Sequence, residues 1–165
     1  MHVFLTGPVG VGKSTVIRKT AALLNCTVGG FCTGYGADRG QPERLLYLWY
    51  PGEMLCVPER AVARVRENRP AVIPGRFDLL GCAALERARQ ERAELILMDE
   101  CGRLEREEHR FRERILALLE EDTPILGVLG RGGEALTHHP RVKLVAVTEE
   151  NRDMLPQQII QLLKA

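Results

Sequence analysis

The sequence contains five cysteines but lacks the arrangements in which cysteine usually builds a site. It has no C-x-x-C pair, no histidine at zinc-ligand spacing and no short disulfide framework of the kind found in small secreted domains. The adjacent residues His138 and His139 precede Pro140, a context typical of a solvated turn. We therefore expect reduced thiols and a cytoplasmic location.

Long apolar runs are also missing, and we expect neither a signal peptide nor a membrane span. The N-terminus enters a predicted strand without a basic region or an apolar signal core, and no apolar run is long enough to cross a bilayer. The 23 basic and 22 acidic residues give a formal net charge of +1, so no global field favours nucleic acid or an anionic membrane as a partner. We expect one domain over residues 1–165, for which a monomer is compatible with the length.

The most informative stretch is glycine-rich and runs from Gly7 to Ser14. It lies between the apolar run 3–5 and a predicted helix, which is the context that a phosphate-binding loop requires. Its glycines let backbone N–H groups turn inward around a phosphate, while the following helix directs its positive end at the same anion. Lys13 would reach the β- and γ-phosphates, and the Ser14 hydroxyl would bind Mg²⁺. The predicted nucleotide-binding residues of this Walker A motif are Gly7, Pro8, Val9, Gly10, Val11, Gly12, Lys13, Ser14 and Thr15.

A second motif ends the apolar run 95–98, which is typical of a buried strand. The run is followed by Asp99 and Glu100, which is the Walker B pattern. Because a strand delivers its last residues to the edge of the sheet where the phosphate loop opens, Asp99 can hold Mg²⁺ opposite Ser14. Glu100 is then placed to polarise the attacking water.

The remaining apolar pattern predicts an α/β fold, a P-loop NTPase domain with a mostly parallel sheet and helices on both faces. Further strands are predicted at residues 2–6, through Phe31 and Thr33, at 125–129 and at 142–147. A mobile loop is expected to continue from Thr33 to Gly40, where glycine is frequent. The predicted helices span residues 13–24, 58–69, 78–93, 107–121 and 154–164.

An inserted β-hairpin is predicted where the alternation of strand and helix is interrupted. It comprises residues 45–50 and 54–57, which flank the turn sequence Pro51-Gly52-Glu53. The aromatic residues Tyr47, Trp49 and Tyr50 either form the core of this hairpin, which we favour, or stack on a base.

With these residues in hand, the chain resembles the THEP-type nucleoside-triphosphatases, which are small single-domain P-loop proteins that hydrolyse a broad range of nucleoside triphosphates. Gly30-Phe31-Cys32-Thr33 is similar to the family's Gly-Phe-x-Thr, and residues 99–105 are similar to its Asp-Glu-Ile-Gly-Lys-Met-Glu. Asn151-Arg152-Asp153 matches its Asn-Arg-Asp. Residues 33–37 depart from the family's Thr-x-Glu-x-Arg, and residues 75–77 only loosely match a Gly-x-Tyr, so substrate preference is the property least supported by the resemblance.

The predicted activity is Mg²⁺-dependent hydrolysis of nucleoside triphosphates to the diphosphate and phosphate, by in-line attack on the γ-phosphorus. Lys13 and Glu100 are the predicted catalytic residues, together with a charge-neutralising arginine, either Arg131 or Arg152, with Arg103 in reserve. Broad base specificity is expected because the sequence lacks Asn-Lys-x-Asp, the usual guanine-binding motif. A phosphotransferase and a nucleotide-gated adaptor are the alternatives, because both use the same loop.

Overall fold

The computed structural model describes residues 1–101, 108–130 and 133–165, in which an eight-stranded sheet carries helices on both faces. The strands are β1 His2–Thr6, β2 Val28–Tyr35, β3 Glu43–Trp49, β4 Ala61–Arg66, β5 Arg69–Val72, β6 Leu95–Cys101, β7 Ile125–Leu129 and β8 Val142–Ala146. The helices are α1 Lys13–Leu24, α2 Cys82–Gln90, α3 His109–Leu119, α4 Glu134–Thr137 and α5 Leu155–Lys164. A 3₁₀ turn spans Pro58–Arg60 and a π-helical turn spans Phe77–Gly81. Over these ranges, no helix is both long and apolar enough to span a membrane.

The parallel half of the sheet has the order β2-β6-β7-β1-β8 and positions the two predicted motifs. Its central strands are apolar on both faces, so that Val3, Phe4 and Leu5 of β1 are all fully buried. One core lies under α1 and α5, and the other lies under α2 and α3. Because β1, β6 and β7 run in the same direction, their carboxyl ends meet at one edge of the sheet.

The other half of the sheet is an antiparallel meander, β3-β4-β5, which extends from β2. The helix predicted over residues 58–69 is wrong, because most of this segment forms β4 and the start of β5. Residues 63–66 alternate in burial, with Val65 buried and Arg64 exposed, which is the period of a strand. Glu67 and Asn68 have φ values of 47° and 60° and join the two strands through a two-residue turn.

The predicted hairpin is correct in its first strand and wrong in its second. β3 pairs with β2 and β4, whereas residues 54–57 form no strand, and Met54 is 65% exposed. The turn before them is anchored to α2, because Arg87 donates two hydrogen bonds to Glu53, at 2.8 and 2.7 Å, and lies 3.9 Å from the centre of the Tyr50 ring. Tyr47 and Tyr50 are buried in the core of the domain and Trp49 is partly buried, but the hairpin whose core they were predicted to form is not present.

β2 is longer than predicted and continues to Tyr35, into the first part of the segment expected to be a loop, whereas residues 36–40 form no strand. Gly29 of this strand allows β2 and α2 to pack closely, because a Cβ added at Gly29 would lie 2.5 Å from the Cβ of Ala88 in α2. The segment predicted as the helix 78–93 begins as the π-helical turn and continues as α2.

Candidate active site

The loop between β1 and α1 has the backbone of a phosphate-binding loop. Gly7, Gly10 and Gly12 have φ values of 137°, 80° and 109°, which side-chain-bearing residues rarely adopt. At Gly7 the loop also passes close to the residue after β8, since an added Cβ would lie 2.7 Å from the carbonyl oxygen of Val147. This crowding and the positive φ together require glycine at the start of the loop.

The first turn of α1 is suited to binding an anion. Gly12 precedes this 12-residue helix and has no side chain that could cap its N-terminus, and the first turn contains no acidic residue. The first N–H groups of a helix have no partner within it, and together with the helix dipole they favour a bound phosphate.

Lys13 places its ammonium group back over the start of the loop. Its Nζ donates hydrogen bonds to the carbonyl oxygens of Gly7 and Pro8, each at 2.7 Å. Both of these residues are exposed. A charged phosphate oxygen is a stronger acceptor than a neutral carbonyl, so a nucleotide can replace these contacts without leaving a buried group unpaired.

Ser14 and Asp99 are brought together from segments that are distant in sequence. The Ser14 hydroxyl donates to Oδ1 of Asp99 at 3.2 Å, which joins the start of α1 to the end of β6. Hydroxyl and carboxylate oxygens are ligands that Mg²⁺ accepts, and Mg²⁺ commonly uses few protein ligands together with water and substrate phosphates. No group of three or more His, Cys, Asp or Glu residues that could hold a metal occurs among the described residues.

The thiol next to Asp99 carries no charge that would compete with this carboxylate. Burial raises the pKa of Cys32 to about 12, the negative charge of Asp99 acts in the same direction, and Arg18 opposes both. The thiol therefore stays protonated at neutral pH.

A second segment reaches the loop from the other side of β1. After β8, the Asn151 side chain donates to the carbonyl oxygen of Ala146 at 2.8 Å and accepts from the N–H of Thr148 at 2.8 Å. This pairing shapes the turn that presents Arg152, whose Nη1 donates to the carbonyl oxygen of Val11 at 3.3 Å. An open pocket lies beside this contact and is lined by Gly12, Thr15, Val16, Lys19, Arg152 and Asp153.

The structure thus assembles the loop, Lys13, Ser14, Asp99 and Arg152 at one edge of the sheet. Three other predictions lie outside the described residues: the side chain of Glu100, which follows Asp99 in β6, and the residues Arg131 and Arg103.

Two residues at the site were not singled out from the sequence. Thr33 donates to the carbonyl oxygen of Asp99 at 3.0 Å, and Lys19 lines the pocket beside Arg152. The Gly-Phe-x-Thr similarity could have identified Thr33, and the spacing of Lys19, one helical turn after Thr15, could have placed it on the same face of α1.

Comparisons with known proteins agree with this fold. The family model described as "NTPase" matches residues 2–160. The nucleoside-triphosphatases THEP1 of Thermofilum pendens and Methanosarcina barkeri are 32% and 30% identical, and both alignments cover 96% of this chain, with 92% and 95% of the respective relative. The crystal structure of THEP1 from Aquifex aeolicus has a TM-score of 0.78 at 22% identity, with both chains covered completely, and this likeness shows the fold. The solution structure of a human cancer-related nucleoside triphosphatase has a TM-score of 0.70 at 26% identity and covers 97% of this chain and 95% of that one.

Proposed function

The chain belongs to the NTPase family, and we propose that this nucleoside-triphosphatase requires Mg²⁺ and hydrolyses nucleoside triphosphates with little regard to the base. The observation that carries the proposal is the contact between Ser14 and Asp99 at 3.2 Å, directly beside the phosphate-binding loop. It places Asp99, near the end of β6, next to Ser14, near the start of α1. A carboxylate and a hydroxyl paired in this way are what nucleotide hydrolysis with a divalent ion needs.

The loop and Lys13 bind the phosphates. The N–H groups at the start of α1 donate hydrogen bonds to phosphate oxygens. Lys13 exchanges its two carbonyl partners for phosphate oxygens. Ser14 and Asp99 would hold Mg²⁺, which when bound neutralises negative charge on the phosphate oxygens. Glu100, the next residue of β6 after Asp99, is our candidate for orienting the attacking water.

Arg152 is positioned for a part in nucleotide binding. It contacts Val11 within the loop, and it follows β8, which lies on the opposite side of β1 from β7 and β6. Asp99, on β6, lies on the other side of the loop. Arg152 is therefore at the end of the site that is farther from the proposed Mg²⁺ ligands. We therefore favour a role in holding the nucleotide, beside the pocket that Thr15 and Lys19 also line, over a role at the terminal phosphate.

For Arg152→Ala we expect KM for the nucleotide to rise about tenfold and kcat to stay within about threefold, because one charge-assisted hydrogen bond is lost before and during reaction alike. Steady-state kinetics at saturating Mg²⁺ measure both constants. Arg152→Lys, which keeps the charge, is the control and should recover part of the loss. A fall in kcat of about a hundredfold would instead assign Arg152 the charge-neutralising role predicted from the sequence.

Weak base discrimination is supported by the nature of the pocket. The pocket is open, and its side chains come from Thr15, Val16, Lys19, Arg152 and Asp153. Lys19 and Asp153 form only a long, exposed ion pair at 3.9 Å. A strong preference for one base needs dedicated, buried polar partners that would be left unpaired by the wrong base.

We expect the rates of phosphate release from ATP, GTP, CTP and UTP to agree within about a hundredfold, all requiring Mg²⁺. The measurement is kcat/KM for each nucleotide with Mg²⁺ and with excess chelator. A preference above about a thousandfold for one nucleotide contradicts broad specificity, since it corresponds to about 4 kcal/mol of discrimination.

Phosphate that appears in equal amount to the diphosphate identifies water as the acceptor, whereas diphosphate without free phosphate would identify a phosphotransferase.

A further inference from the structure

The hydroxyl of Thr33 links β2 to the backbone of the predicted metal-binding residue. Its Oγ1 donates to the carbonyl oxygen of Asp99 at 3.0 Å, across a sequence separation of 66 residues. We propose that Thr33 is a positioning residue, which holds the Asp99 backbone so that the carboxylate faces Ser14. This inference rests on the proposed function, because it assumes that Asp99 and Ser14 hold Mg²⁺.

The contact occurs where the ordinary sheet pairing around Asp99 changes on both sides. The parallel register between β2 and β6 ends at Phe31 and Met98, one residue before Asp99. On the other side, the register between β6 and β7 shifts between Met98 and Cys101. Such irregularities redirect side chains and are frequent next to active sites, but they weaken the ladder that would otherwise define the backbone. The Thr33 hydroxyl supplies a bond between strands at this position.

Thr33 is itself well anchored. It lies opposite Leu48 in the antiparallel pair of β2 and β3, and Leu48 is fully buried. The next residue, Gly34, lies against the Trp49 ring, since an added Cβ would be 2.7 Å from its Cη2. The hydroxyl is therefore presented by a part of β2 that packs against β3 and not by a loop, which is the property that a positioning residue requires.

The chemical consequence concerns the Asp99 carboxylate. Its distance to Ser14 is 3.2 Å, and a small rotation of the backbone at Asp99 would move one oxygen donor away from the other. Residues that orient metal ligands without touching the metal typically contribute about tenfold or more to metal affinity or activity. The antiparallel extension of the sheet thereby acquires an indirect role at the site, because β3 supports the residue of β2 that contacts Asp99, although β3, β4 and β5 carry none of the predicted ligands.

The test uses Thr33→Val, which keeps the branched shape and removes the hydroxyl. We expect the Mg²⁺ concentration that gives half-maximal tightening of ADP binding to rise about tenfold, while ADP affinity in excess chelator changes by less than about twofold. Calorimetric titration of ADP at a series of Mg²⁺ concentrations measures both values without any turnover. The Mg²⁺ concentration for half-maximal hydrolysis should rise in parallel.

Two controls separate positioning from general damage. Thr33→Ser keeps the hydroxyl and should restore the parental Mg²⁺ dependence to within about twofold. Thr27→Val makes the same substitution at the opposite end of the β2–β6 pair, where the Thr27 hydroxyl donates to Oε2 of Glu94 at 2.9 Å. It removes a comparable link between the strands and should leave the Mg²⁺ dependence unchanged.

Parental Mg²⁺ dependence in a folded Thr33→Val variant overturns the inference and leaves the proposed function intact. An equal rise in the required Mg²⁺ concentration for Thr33→Ser, or for Thr27→Val, also overturns it, because the hydroxyl at position 33 would then not be the cause. If ADP binding and hydrolysis by the parental protein do not depend on Mg²⁺, the proposed function fails and this inference fails with it.

Discussion

Replacing Glu100 with glutamine lowers the rate of hydrolysis by about a hundredfold or more and leaves nucleotide affinity within about threefold of the parental value. Glutamine keeps the size and the hydrogen-bonding reach of the side chain but removes the negative charge that polarises water. Binding should survive, because we propose that the phosphate contacts come from the loop and from Lys13, whose Nζ lies over the start of the loop. Single-turnover kinetics and an equilibrium titration of the same preparation measure the two quantities separately.

The matched control is Glu113→Gln, which removes one acidic charge from an exposed position on α3. Its hydrolysis rate should equal that of the parent. If Glu100→Gln remains folded and hydrolyses nucleotide at nearly the parental rate, Glu100 is a solvated acid, and another group must orient the water. Glu105, which lies outside the described residues, is the next candidate.

Replacing Lys13 with alanine weakens nucleotide binding and turnover together. The lost charge-assisted hydrogen bond contributes about 2 kcal/mol, or roughly thirtyfold, to affinity. Turnover falls further, by about a hundredfold, because the same ammonium group stabilises charge that develops on the transferred phosphoryl group. The free energy of unfolding should change by less than about 1 kcal/mol, since the carbonyls of Gly7 and Pro8 that lose a partner are exposed to water.

Lys143→Ala is the control for the charge, because this lysine is exposed on the edge strand β8. It should bind and hydrolyse nucleotide like the parent. Retention of near-parental affinity by Lys13→Ala would contradict the assignment of the loop as the phosphate site, whatever its rate of hydrolysis.

The parts of the fold that were predictable from the sequence are those with a local cause. The loop and α1 belong to one contiguous motif, and α1 spans the predicted residues, with Asn25 ending it in the left-handed conformation. β7 also has its predicted bounds, because an apolar run between polar segments leaves little choice for a strand buried on both faces.

The meander was mispredicted for a physical reason. Over the six residues of β4, arginines among alanine and valine fit the period of a helix nearly as well as that of a strand. The turn that would have decided between them is made by Glu67 and Asn68 in the left-handed region, where a glycine would have been the usual signal. The pairing partners β3 and β5 then stabilise the strand, and tertiary context of this kind is not visible in a short window.

In the candidate site, too, the features with a local cause were predictable from the sequence and the long-range contacts were not. The loop residues are recognised from their spacing, and the Walker B acid is recognised from the strand before it. The contacts of Asp99 with Ser14 and Thr33 span 85 and 66 residues and depend on the order of strands in the sheet. That order is set by the crossovers, which the sequence pattern does not specify.

The place of β1 in the sheet has a consequence for synthesis on the ribosome. β1 carries the phosphate-binding loop, yet its two neighbours are β7 and β8, which are translated more than a hundred residues later. The strands β2 to β5 are consecutive in the chain and pair with one another, so they can form early, whereas the nucleotide site requires contacts of the longest range. A nascent chain that lacks β7 and β8 therefore leaves β1 without its two neighbours, and we expect nucleotide to stabilise the protein against proteolysis only when translation has passed these strands.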